Sequence, residues 1–542
     1  MKKIFAIGIA LLTLVSCKMD FYSSDSMTSS QLADNPSSAV YTTDGLYTLM
    51  KDRIEYKGLA ESGNYYVRHY FQLTELRGDN VTVSGVTEDP FVFPYTYNDV
   101  NTEKNITYTW WMAYKIINAA NSNIDAIVPG SSALSDHLLG ENYFFRALMH
   151  FHLVTLFATP YVCGADKPGV VIRRGLDISS TTRSTVGDVY NAIVEDLISA
   201  QDYLKNGESD RIKNGEKVYV SWDAATALLA RVYLYMEKNK ECIAECNKLM
   251  EHPSSSLDGY DFDTYPTHTY DSPETIWCLR LTTNDEWAND HAEASIASMY
   301  IKDGHGWGEH YWREDLIENF RRYPADKRFK AYFRMVGGTP QQIRDWDDMV
   351  ASTGGKVMIT FPIRGAEDDD HCGAAVVSNL TQKADNSIDF TYDGKNYTAV
   401  PKTVNTYTEY WVDGVDFSVL PIATGSGKSS RVFVRPNIPR DNKSCRTDNG
   451  ADYVRYFNTK FSYQDGLVML TSPVFLRWGE VLLNRAEAYA KIGGKDSEAL
   501  ADVNRIRHRA GLDAAGDDFT TGNYAARGYE SVLDVVLDER NR

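Results

Sequence analysis

The sequence has little that could cross a bilayer and a shortage of positive charge. Apart from an apolar run at its start, no stretch of the 542 residues is as long and apolar as a membrane-spanning helix, which needs about 20 residues. Lysine and arginine number 56 against 74 aspartates and glutamates, for a net charge of −18. Because an acidic surface repels phosphate groups, we do not expect nucleic acid as a partner.

Cysteine is also scarce, with seven in the whole chain. That number is too small for a disulfide scaffold in a protein of this length. Cys242 and Cys246 lie four residues apart on a predicted helix, and such a pair can belong to a metal site. No further cysteine or histidine completes a known ligand spacing, so we interpret the pair as small buried residues.

The motifs of several enzyme classes are missing. The stretch ATGSGKSS lacks the first glycine of a phosphate-binding loop, because Ile422 stands five positions before Gly427. The histidines of GHGWGEHYW do not have the HExxH zinc spacing, and no GxSxG nucleophile motif occurs. Carboxylates are too numerous to single out a glycosidase pair. The sequence therefore predicts neither an enzyme nor a cofactor.

One acidic stretch could hold a cation. In GAEDDDHC, the four acidic residues 367–370 precede His371, and carboxylate oxygens are the ligands that calcium prefers. A solvated acidic loop is the alternative, and it is the interpretation that we favour. A structural calcium ion stays open as a hypothesis.

The chain begins with a pattern typical of exported proteins. Lys2 and Lys3 precede an apolar run over residues 4–16, which is too short to span a membrane. A charged start followed by a short apolar run predicts a signal peptide over residues 1–16. The run ends in Leu-Val-Ser-Cys, which resembles a bacterial lipobox and predicts lipidation of Cys17. The alternative is an ordinary signal peptide followed by an unrelated cysteine.

Several segments have the hydrophobic spacing of helices. Apolar residues recur at steps of three and four in residues 107–127, 140–157 and 184–204. Thr185 stands at a position suited to cap the third of these helices. Trp110 and Trp111 fall within the first helical pattern, and aromatic residues at such spacing are usually core, so we expect them to be buried.

Two further segments read as helical hairpins of tetratricopeptide type. In residues 221–253, Ser221 is suited to cap a first helix, and small and aromatic residues follow the repeat pattern. In residues 475–511, the Gly493-Gly494 pair breaks the chain between two helices, and Asp496 is predicted to cap the second. The polar face of the first helix in this segment is either solvated or packed against another helix. Such hairpins stack, because one alone cannot bury its apolar face.

The segment between these hairpins has a different character. Residues from about 255 to 470 are rich in Tyr, Trp, Asp, Gly and Asn, with short alternating runs such as KVMITFPI and RVFVRP that indicate strands. The predicted fold class is therefore mainly α: a tetratricopeptide-like scaffold of helical hairpins with a large loop-rich insert containing short strands. Function is more often carried by such loops than by the scaffold.

An ordered set of segments resembles the SusD/RagB family of nutrient-binding surface lipoproteins of the Bacteroidetes. These segments are the lipobox at Cys17, LTELRGDN, WWMAYKIINAANSNID, GENYFFRALMHFHLVTLF, AATALLARVYLYM, FLRWGEVLLNRAEAYAKIG and VNRIRHRAGL. The resemblance implies a single domain over residues 17–542. It also implies a non-enzymatic protein, lipid-anchored in the outer membrane and exposed at the cell surface, that captures a glycan and delivers it to a SusC-like TonB-dependent transporter.

The final segment, SVLDVVLDERNR, resembles the beginning of the family's closing helix. In the family this helix normally continues, so we expect the C-terminal end at Arg542 to be truncated; the alternative is a variant that lacks the rest of the closing segment.

Two windows combine aromatic residues with polar ones, as glycan sites do. Sugar rings stack their C–H faces on flat aromatic side chains, while their hydroxyls bind polar groups. The candidate ligand-binding residues of the first window are Tyr66, Arg68, Arg77, Asp79, Asn80, Tyr95 and Tyr97. Those of the second window are Trp287, Asn289, Trp307, His310 and Trp312. The resemblance implies contacts from these two regions rather than from particular residues, and the alternative for each aromatic is a place in the core.

Three other functions remain open from the sequence. The ligand could be a peptide, as in some relatives within the same family. The helical repeats could scaffold an assembly, although a scaffold has no need of an insert rich in Trp and Tyr. A secreted hydrolase is the third alternative, and no catalytic motif supports it.

Overall fold

The computed structural model of the protein describes a large part of the chain. The described residues are 38–57, 65–83, 92–98, 100–177, 182–205, 211, 217–251, 256–257, 262, 265–285, 295–300, 310–336, 358–360, 378–392, 395–404, 407–411, 417–423, 430–436, 446–447, 450–451 and 455–542. Helices dominate these ranges, which confirms the predicted mainly α fold class. None of the helices in this part of the chain is long and apolar enough to cross a membrane.

The N-terminal half of the scaffold is helical. Its helices are α1 (Ser38–Lys51), α2 (Tyr66–Glu75), α3 (Val92–Thr96), α4 (Lys104–Ala126), α5 (Ala133–Phe157), α6 (Val186–Leu204), α7 (Trp222–Tyr235) and α8 (Asn239–Glu251). Three of them begin at a hydroxyl cap: the side chains of Ser132, Thr185 and Ser221 accept hydrogen bonds from backbone N–H groups three residues on. The predicted caps at Thr185 and Ser221 are thus confirmed.

The insert carries short helices and many short strands. Its helices are α9 (Ile296–Tyr300), α10 (Glu314–Arg321) and α11 (Lys327–Tyr332). The strands, of which the first precedes the insert and the last follows it, are β1 (Val81–Val83), β2 (Thr275–Cys278), β3 (His310–Trp312), β4 (Phe333–Val336), β5 (Met358–Thr360), β6 (Ser378–Gln382), β7 (Ile388–Tyr392), β8 (Lys395–Val404), β9 (Tyr407–Trp411), β10 (Phe417–Ala423), β11 (Ser430–Pro436), β12 (Arg446–Thr447), β13 (Gly450–Ala451), β14 (Arg455–Asn458) and β15 (Val474–Arg477). The predicted short strands are therefore present.

Seven of these strands form one sheet, which the sequence did not predict. The strand order is β5-β11-β10-β9-β8-β7-β6, antiparallel throughout except for the parallel pair β11 and β5. The other pairs, β1–β3, β2–β15, β4–β14 and β12–β13, are antiparallel and two-stranded. Of these, β2–β15 joins the two ends of the insert, because Thr275 lies opposite Arg477.

After the insert the chain returns to the helical scaffold. The helices there are α12 (Trp478–Ile492), α13 (Asp496–Arg509) and α14 (Val532–Asn541). Gly493 and Gly494 both adopt positive φ, +73° and +70°, which only glycine does without strain, and this ends α12. The predicted cap at Asp496 is wrong. Lys495 occupies the cap position without a side-chain hydrogen bond, and Asp496 is the first helical residue.

Helices α8 and α12 pack together although the whole insert separates them in sequence. Cys242 and Cys246 have no exposed surface, and the Cys242 Sγ lies 3.7 Å from the Asn484 carbonyl oxygen. Burial raises the pKa of the Cys246 thiol, so this thiol stays protonated. Within the described residues no group of His, Cys, Asp and Glu side chains could hold a metal ion. The burial of both cysteines between the two helices agrees with the prediction that they are small buried residues.

Helix α12 turns its polar face toward the neighbouring hairpin. Arg231 on α7 donates two hydrogen bonds to the Glu480 carboxylate, at 2.5 and 2.6 Å, and a third to the Phe475 carbonyl oxygen. Of the two readings of this face, solvated or packed against another helix, the second is correct. A two-point contact of this kind fixes one helix against the other.

The core joins the insert to the scaffold through aromatic side chains. Trp277 on β2 is fully buried, with its ring centroid 5.2 Å from that of Phe144 and 4.9 Å from that of Phe475. Phe144 belongs to α5 and Phe475 to β15, so three distant segments meet at one indole. Edge-to-face and tilted ring contacts of this kind stabilise a core beyond the area that they bury.

Candidate functional site

The pairing of β1 with β3 brings the two predicted windows together. Val81 lies opposite Trp312 and Val83 opposite His310. Just beyond this ladder the Arg313 backbone N–H donates to the Asn80 carbonyl oxygen at 2.8 Å. The β1–β3 rim is the name used below for the side chains along this junction. Its members are Asp79, Asn80, Tyr95, Tyr97, Trp312 and Arg313.

Tyr97 is the most exposed aromatic residue of the rim. Its side chain is 71% exposed, yet its hydroxyl donates to the Arg77 carbonyl oxygen at 2.8 Å. The backbone of Tyr97 is left-handed, with φ of +55°, so the residue turns outward just after α3. A ring anchored at its hydroxyl and exposed on its faces is suited to stacking against a flat ligand.

The remaining rim residues supply further aromatic and polar groups along the junction. The Tyr95 hydroxyl lies 3.1 Å from the Thr82 hydroxyl oxygen on β1. The Asp79 side chain is 96% exposed, with its carboxylate 3.8 Å from the Arg313 guanidinium. Trp312 is half-buried and donates its indole N–H to the Tyr332 carbonyl oxygen at 3.4 Å. Asn80 is half-buried between Asp79 and β1.

Arg77 ties the rim to the helical scaffold. Its guanidinium donates to the Leu156 carbonyl oxygen at 3.1 Å, near the end of α5. Its own carbonyl oxygen accepts the hydroxyl of Tyr97. Arg77 is half-buried. Its observed contacts hold the rim in place, so we assign it a positioning role rather than a direct contact with a ligand.

Three predicted site residues lie in the core, which corrects their interpretation as ligand contacts. Tyr66 has no exposed surface, its hydroxyl lies 2.9 Å from His152 Nδ1, and burial raises the pKa of Tyr66 well above its usual value. Arg68 is 5% exposed, with its guanidinium 3.6 Å from the sulfur of Met299. His310 has no exposed surface and packs its ring edge against Tyr300. A ligand at the surface reaches none of the three.

Several predictions fall outside the described residues. These are the ligand contacts at Trp287, Asn289 and Trp307, the lipidation of Cys17, and the acidic stretch 367–371. Each stays a prediction.

A cavity on α4 contains residues that the sequence analysis did not select as a site. It has a volume of about 940 Å³, within the range of ligand pockets. The described residues that line it are Tyr56, Asn101, Ile106, Thr107, Trp110, Trp111, Tyr114, Lys115, Ile117, Asn118, Asn121, Phe157, Val171, Arg173, Gly175 and Arg183. Trp110 and Trp111 are half-buried, whereas the sequence analysis expected them to be buried in the core. That expectation is wrong for the ring faces that line the cavity. The sequence did contain one signal of this site: the polar residues Lys115 and Asn118 follow the two tryptophans on the same helix.

Comparison with known protein families covers most of the chain. Residues 47–234 match a family model described as "Starch-binding associating with outer membrane", a SusD-like model. Residues 273–542 match the model described as "SusD family". The two matches follow one another in chain order and include both halves of the helical scaffold.

Individual relatives agree with these matches. A SusD-like protein of Formosa agariphila is 29% identical over 408 residues, which is 74% of this chain and 62% of that protein. The alignment thus spans less than two thirds of the relative's length. The crystal structure of a SusD superfamily protein from Bacteroides vulgatus has a TM-score of 0.58 at 19% identity, over 93% of this chain and 84% of that one.

A second solved structure, a laminarin-binding SusD-like protein, has a TM-score of 0.54 at 18% identity, over 93% of this chain and 88% of that one. At such identities the solved structures establish the shared fold. The family models extend across both halves of the scaffold and through β14, β15 and the closing helices. The chain therefore belongs to the SusD family.

Proposed function

We propose that the protein is a cell-surface lipoprotein that binds a glycan at the β1–β3 rim and delivers it to a SusC-like TonB-dependent transporter. In this proposal the protein performs no chemistry on the glycan, and a lipid on Cys17 holds it at the outer membrane. Membership of the SusD family supports the proposal, as does the family model described as starch-binding and outer-membrane-associated. The transporter partner rests on the family resemblance.

The observation that carries the proposal is the anchored, exposed ring of Tyr97. An aromatic side chain normally loses rotamer freedom when it binds a ligand, and this loss opposes binding. The hydrogen bond from Tyr97 to the Arg77 carbonyl oxygen has already restricted the ring before any ligand arrives. The ring therefore offers a preorganised stacking surface to the C–H face of a sugar.

Polar groups of the same rim suit the hydroxyls of a sugar. The Asp79 carboxylate accepts hydrogen bonds, and the Arg313 guanidinium donates them. Arg313 also lies 3.0 Å from the Asp315 carboxylate, so it has an acidic neighbour on either side. A donor and an acceptor 3.8 Å apart can bind two neighbouring hydroxyls of one sugar ring.

Calorimetric titration of the full chain in mild detergent tests the proposal. Laminarin and starch oligosaccharides are the glycan probes, and a set of unrelated peptides is the alternative. We expect glycan binding that Tyr97→Ala weakens about five-fold, because a stacked aromatic contact contributes on the order of 1 kcal/mol. Tyr97→Phe keeps the ring but loses the hydroxyl that anchors it to the Arg77 carbonyl oxygen. Its glycan affinity should therefore lie between those of the wild type and Tyr97→Ala.

The matched control is Tyr41→Ala, which removes another tyrosine, 60% exposed, from α1. It should leave glycan affinity unchanged. Equal losses in Tyr97→Ala and Tyr41→Ala would contradict the rim as the site. Binding of peptides but no glycan would replace the proposed ligand with a peptide.

A further inference from the structure

The cavity on α4 has walls that are fixed in the absence of any ligand. The Tyr114 hydroxyl donates to the Val171 carbonyl oxygen at 2.9 Å and accepts from the Val171 N–H at 3.0 Å. The Asn121 amide donates to the carbonyl oxygens of Arg173 and Gly175, at 3.3 and 3.2 Å. The segment that faces α4 is thus held at three backbone positions, so the cavity is preformed.

Two indole rings form much of the apolar lining. The Trp110 ring centroid lies 5.2 Å from that of Tyr114 and 5.1 Å from that of Phe157. The Trp111 ring centroid lies 5.0 Å from that of Tyr56. These neighbours support each tryptophan from one side, and both tryptophans stay half-buried. Flat apolar surfaces of this kind bind the C–H face of a sugar ring.

All charged side chains among the described lining residues are cations. They are Lys115, Arg173 and Arg183, in a chain whose net charge is −18. The Arg183 guanidinium donates to two backbone carbonyl oxygens, of Phe157 and Gly169, and Arg173 donates to that of Asp177. No carboxylate within the described part of the chain forms an ion pair with any of the three cations. Among the described residues these charges thus have no carboxylate in ion-pair contact, an arrangement that favours anions in the cavity.

The cations stand beside the aromatic surfaces. The Lys115 ammonium lies 5.0 Å from the Trp111 ring centroid, and the Arg183 guanidinium 5.6 Å from that of Trp110. A ligand with an apolar face and an anionic edge can contact a ring and a cation at the same time. A neutral sugar would stack on the rings and accept hydrogen bonds from the cations, but it would lack the ionic attraction to their positive charge.

We infer that this cavity binds an anionic sugar residue, one that carries a uronic acid carboxylate or a sulfate ester. The ring stacks on Trp110 or Trp111, and the anion lies among Lys115, Arg173 and Arg183. This site goes beyond the proposed function, because it shares no residue with the β1–β3 rim.

The two sites are close enough to serve one polymer. Asn101 of the cavity follows Tyr97 of the rim by four residues. Arg77 and Arg183 donate to the adjacent carbonyl oxygens of Leu156 and Phe157. An extended acidic polysaccharide could therefore occupy the rim and the cavity together.

Binding measurements with charged and neutral versions of the same glycan test the inference. The probes are tetragalacturonate with its fully methyl-esterified form, and a sulfated galactan oligosaccharide with its desulfated form. With the full chain in detergent, we expect at least one anionic probe to bind about ten-fold more tightly than its neutral counterpart. This preference should shrink as salt is raised, because the interaction is electrostatic.

The variants change charge at exposed positions, where folding is not at risk. Lys115→Gln should weaken the anionic probe about three- to ten-fold, and Lys115→Glu should weaken it further. Lys240→Glu on α8 is the matched control, because it makes the same change in net charge at another exposed lysine. Trp110→Ala should weaken the charged and the neutral probe alike, and its thermal melting shows whether it has folded.

The outcomes separate this inference from the proposed function. Binding of an anionic probe that Lys115→Glu removes and Tyr97→Ala spares supports the cavity alone. Neutral glycan binding that depends on Tyr97, with no preference for either anionic probe, overturns the cavity and leaves the proposed function standing. Equal effects of Lys115→Glu and Lys240→Glu, or no anionic binding at all, also overturn it. The carboxylate and sulfate probes identify which anion is preferred.

Discussion

The buried ion pair between Arg146 and Asp196 offers a sharp test of how the scaffold is stabilised. Arg146 on α5 donates to both carboxylate oxygens of Asp196 on α6, at 2.8 and 2.7 Å, and the two side chains are 6% and 4% exposed. A further N–H of Arg146 donates to the side-chain oxygen of Asn121 on α4 at 2.8 Å. One guanidinium thus connects three helices. Asn121 in turn holds the wall of the cavity.

The structure sets the size of the expected effects. Asp196→Ala leaves a buried guanidinium without its carboxylate, which should lower the free energy of unfolding by about 3–5 kcal/mol. Arg146→Met combined with Asp196→Leu removes both charges. What remains is the Asn121 oxygen without its donor, a cost of about 1–3 kcal/mol. Both variants also lose the 3.6 Å contact between Asp196 and the half-exposed Arg174, which contributes at most about 1 kcal/mol. The double variant should therefore be more stable than Asp196→Ala, although it changes more residues.

Urea unfolding followed by circular dichroism and tryptophan fluorescence measures these differences. Glu195→Ala is the control, because it breaks an ion pair with Arg174 in which the glutamate side chain is 65% exposed. That change should cost at most about 1 kcal/mol. A double variant less stable than Asp196→Ala would refute the reasoning. So would a cost for Asp196→Ala no larger than that of the exposed control.

Three further predictions concern pH, packing and anchoring. Burial lowers the pKa of His150 to about 4, so the unfolded chain binds this proton more readily. The stability from neutral His150 is complete above pH of about 6.5 and falls by roughly 3 kcal/mol as pH drops through 4. His150→Gln should therefore reduce the fall of the urea midpoint over this range without abolishing it, because burial also lowers the pKa of His69 and His152. His268→Gln, at a half-exposed site, should leave the fall unchanged. Gly479→Ala should lower the melting temperature and cost about 1–3 kcal/mol of unfolding free energy, because the new Cβ would lie 2.6 Å from the Glu274 carboxylate. Gly45→Ala, in α1, should raise the melting temperature, because no atom lies within 4 Å of its new Cβ and alanine favours a helix. Cys17→Ala should move the protein out of the membrane fraction, as cell fractionation and mass spectrometry would detect, and Cys163→Ala, an exposed thiol, should not.

The parts of the fold that depend on neighbouring residues could be predicted from the sequence. Hydroxyl caps such as Ser221 and helix-ending glycines such as Gly493 act within one turn of the chain, so the local sequence predicted them. The pairing of β1 with β3 was not, because strands of three residues carry almost no periodicity. The seven-stranded sheet escaped prediction for the same reason, since pairing between strands is a long-range property.

For the candidate site, the sequence indicated windows of residues but not which side chains in them are exposed. Tyr66 and Tyr97 both stand in an aromatic and polar window, yet Tyr66 lies on the buried face of α2 and Tyr97 follows α3 in a left-handed turn. Residue type does not distinguish them; their backbone placement does. The cavity escaped prediction because Trp110 faces a wall built from residues around 171–175, far along the chain.

The β2–β15 pair has a consequence for how proteins of this architecture can diversify. Because Thr275 and Arg477 are cross-strand neighbours, the insert leaves and re-enters the scaffold at one point. Lengthening a loop whose ends are already held together costs little entropy, about 0.6 kcal/mol for each doubling of its length. Insertions and deletions between these strands therefore need not disturb the packing of α7, α8 and α12. The helical scaffold can therefore stay constant while the length and sequence of the insert change during evolution.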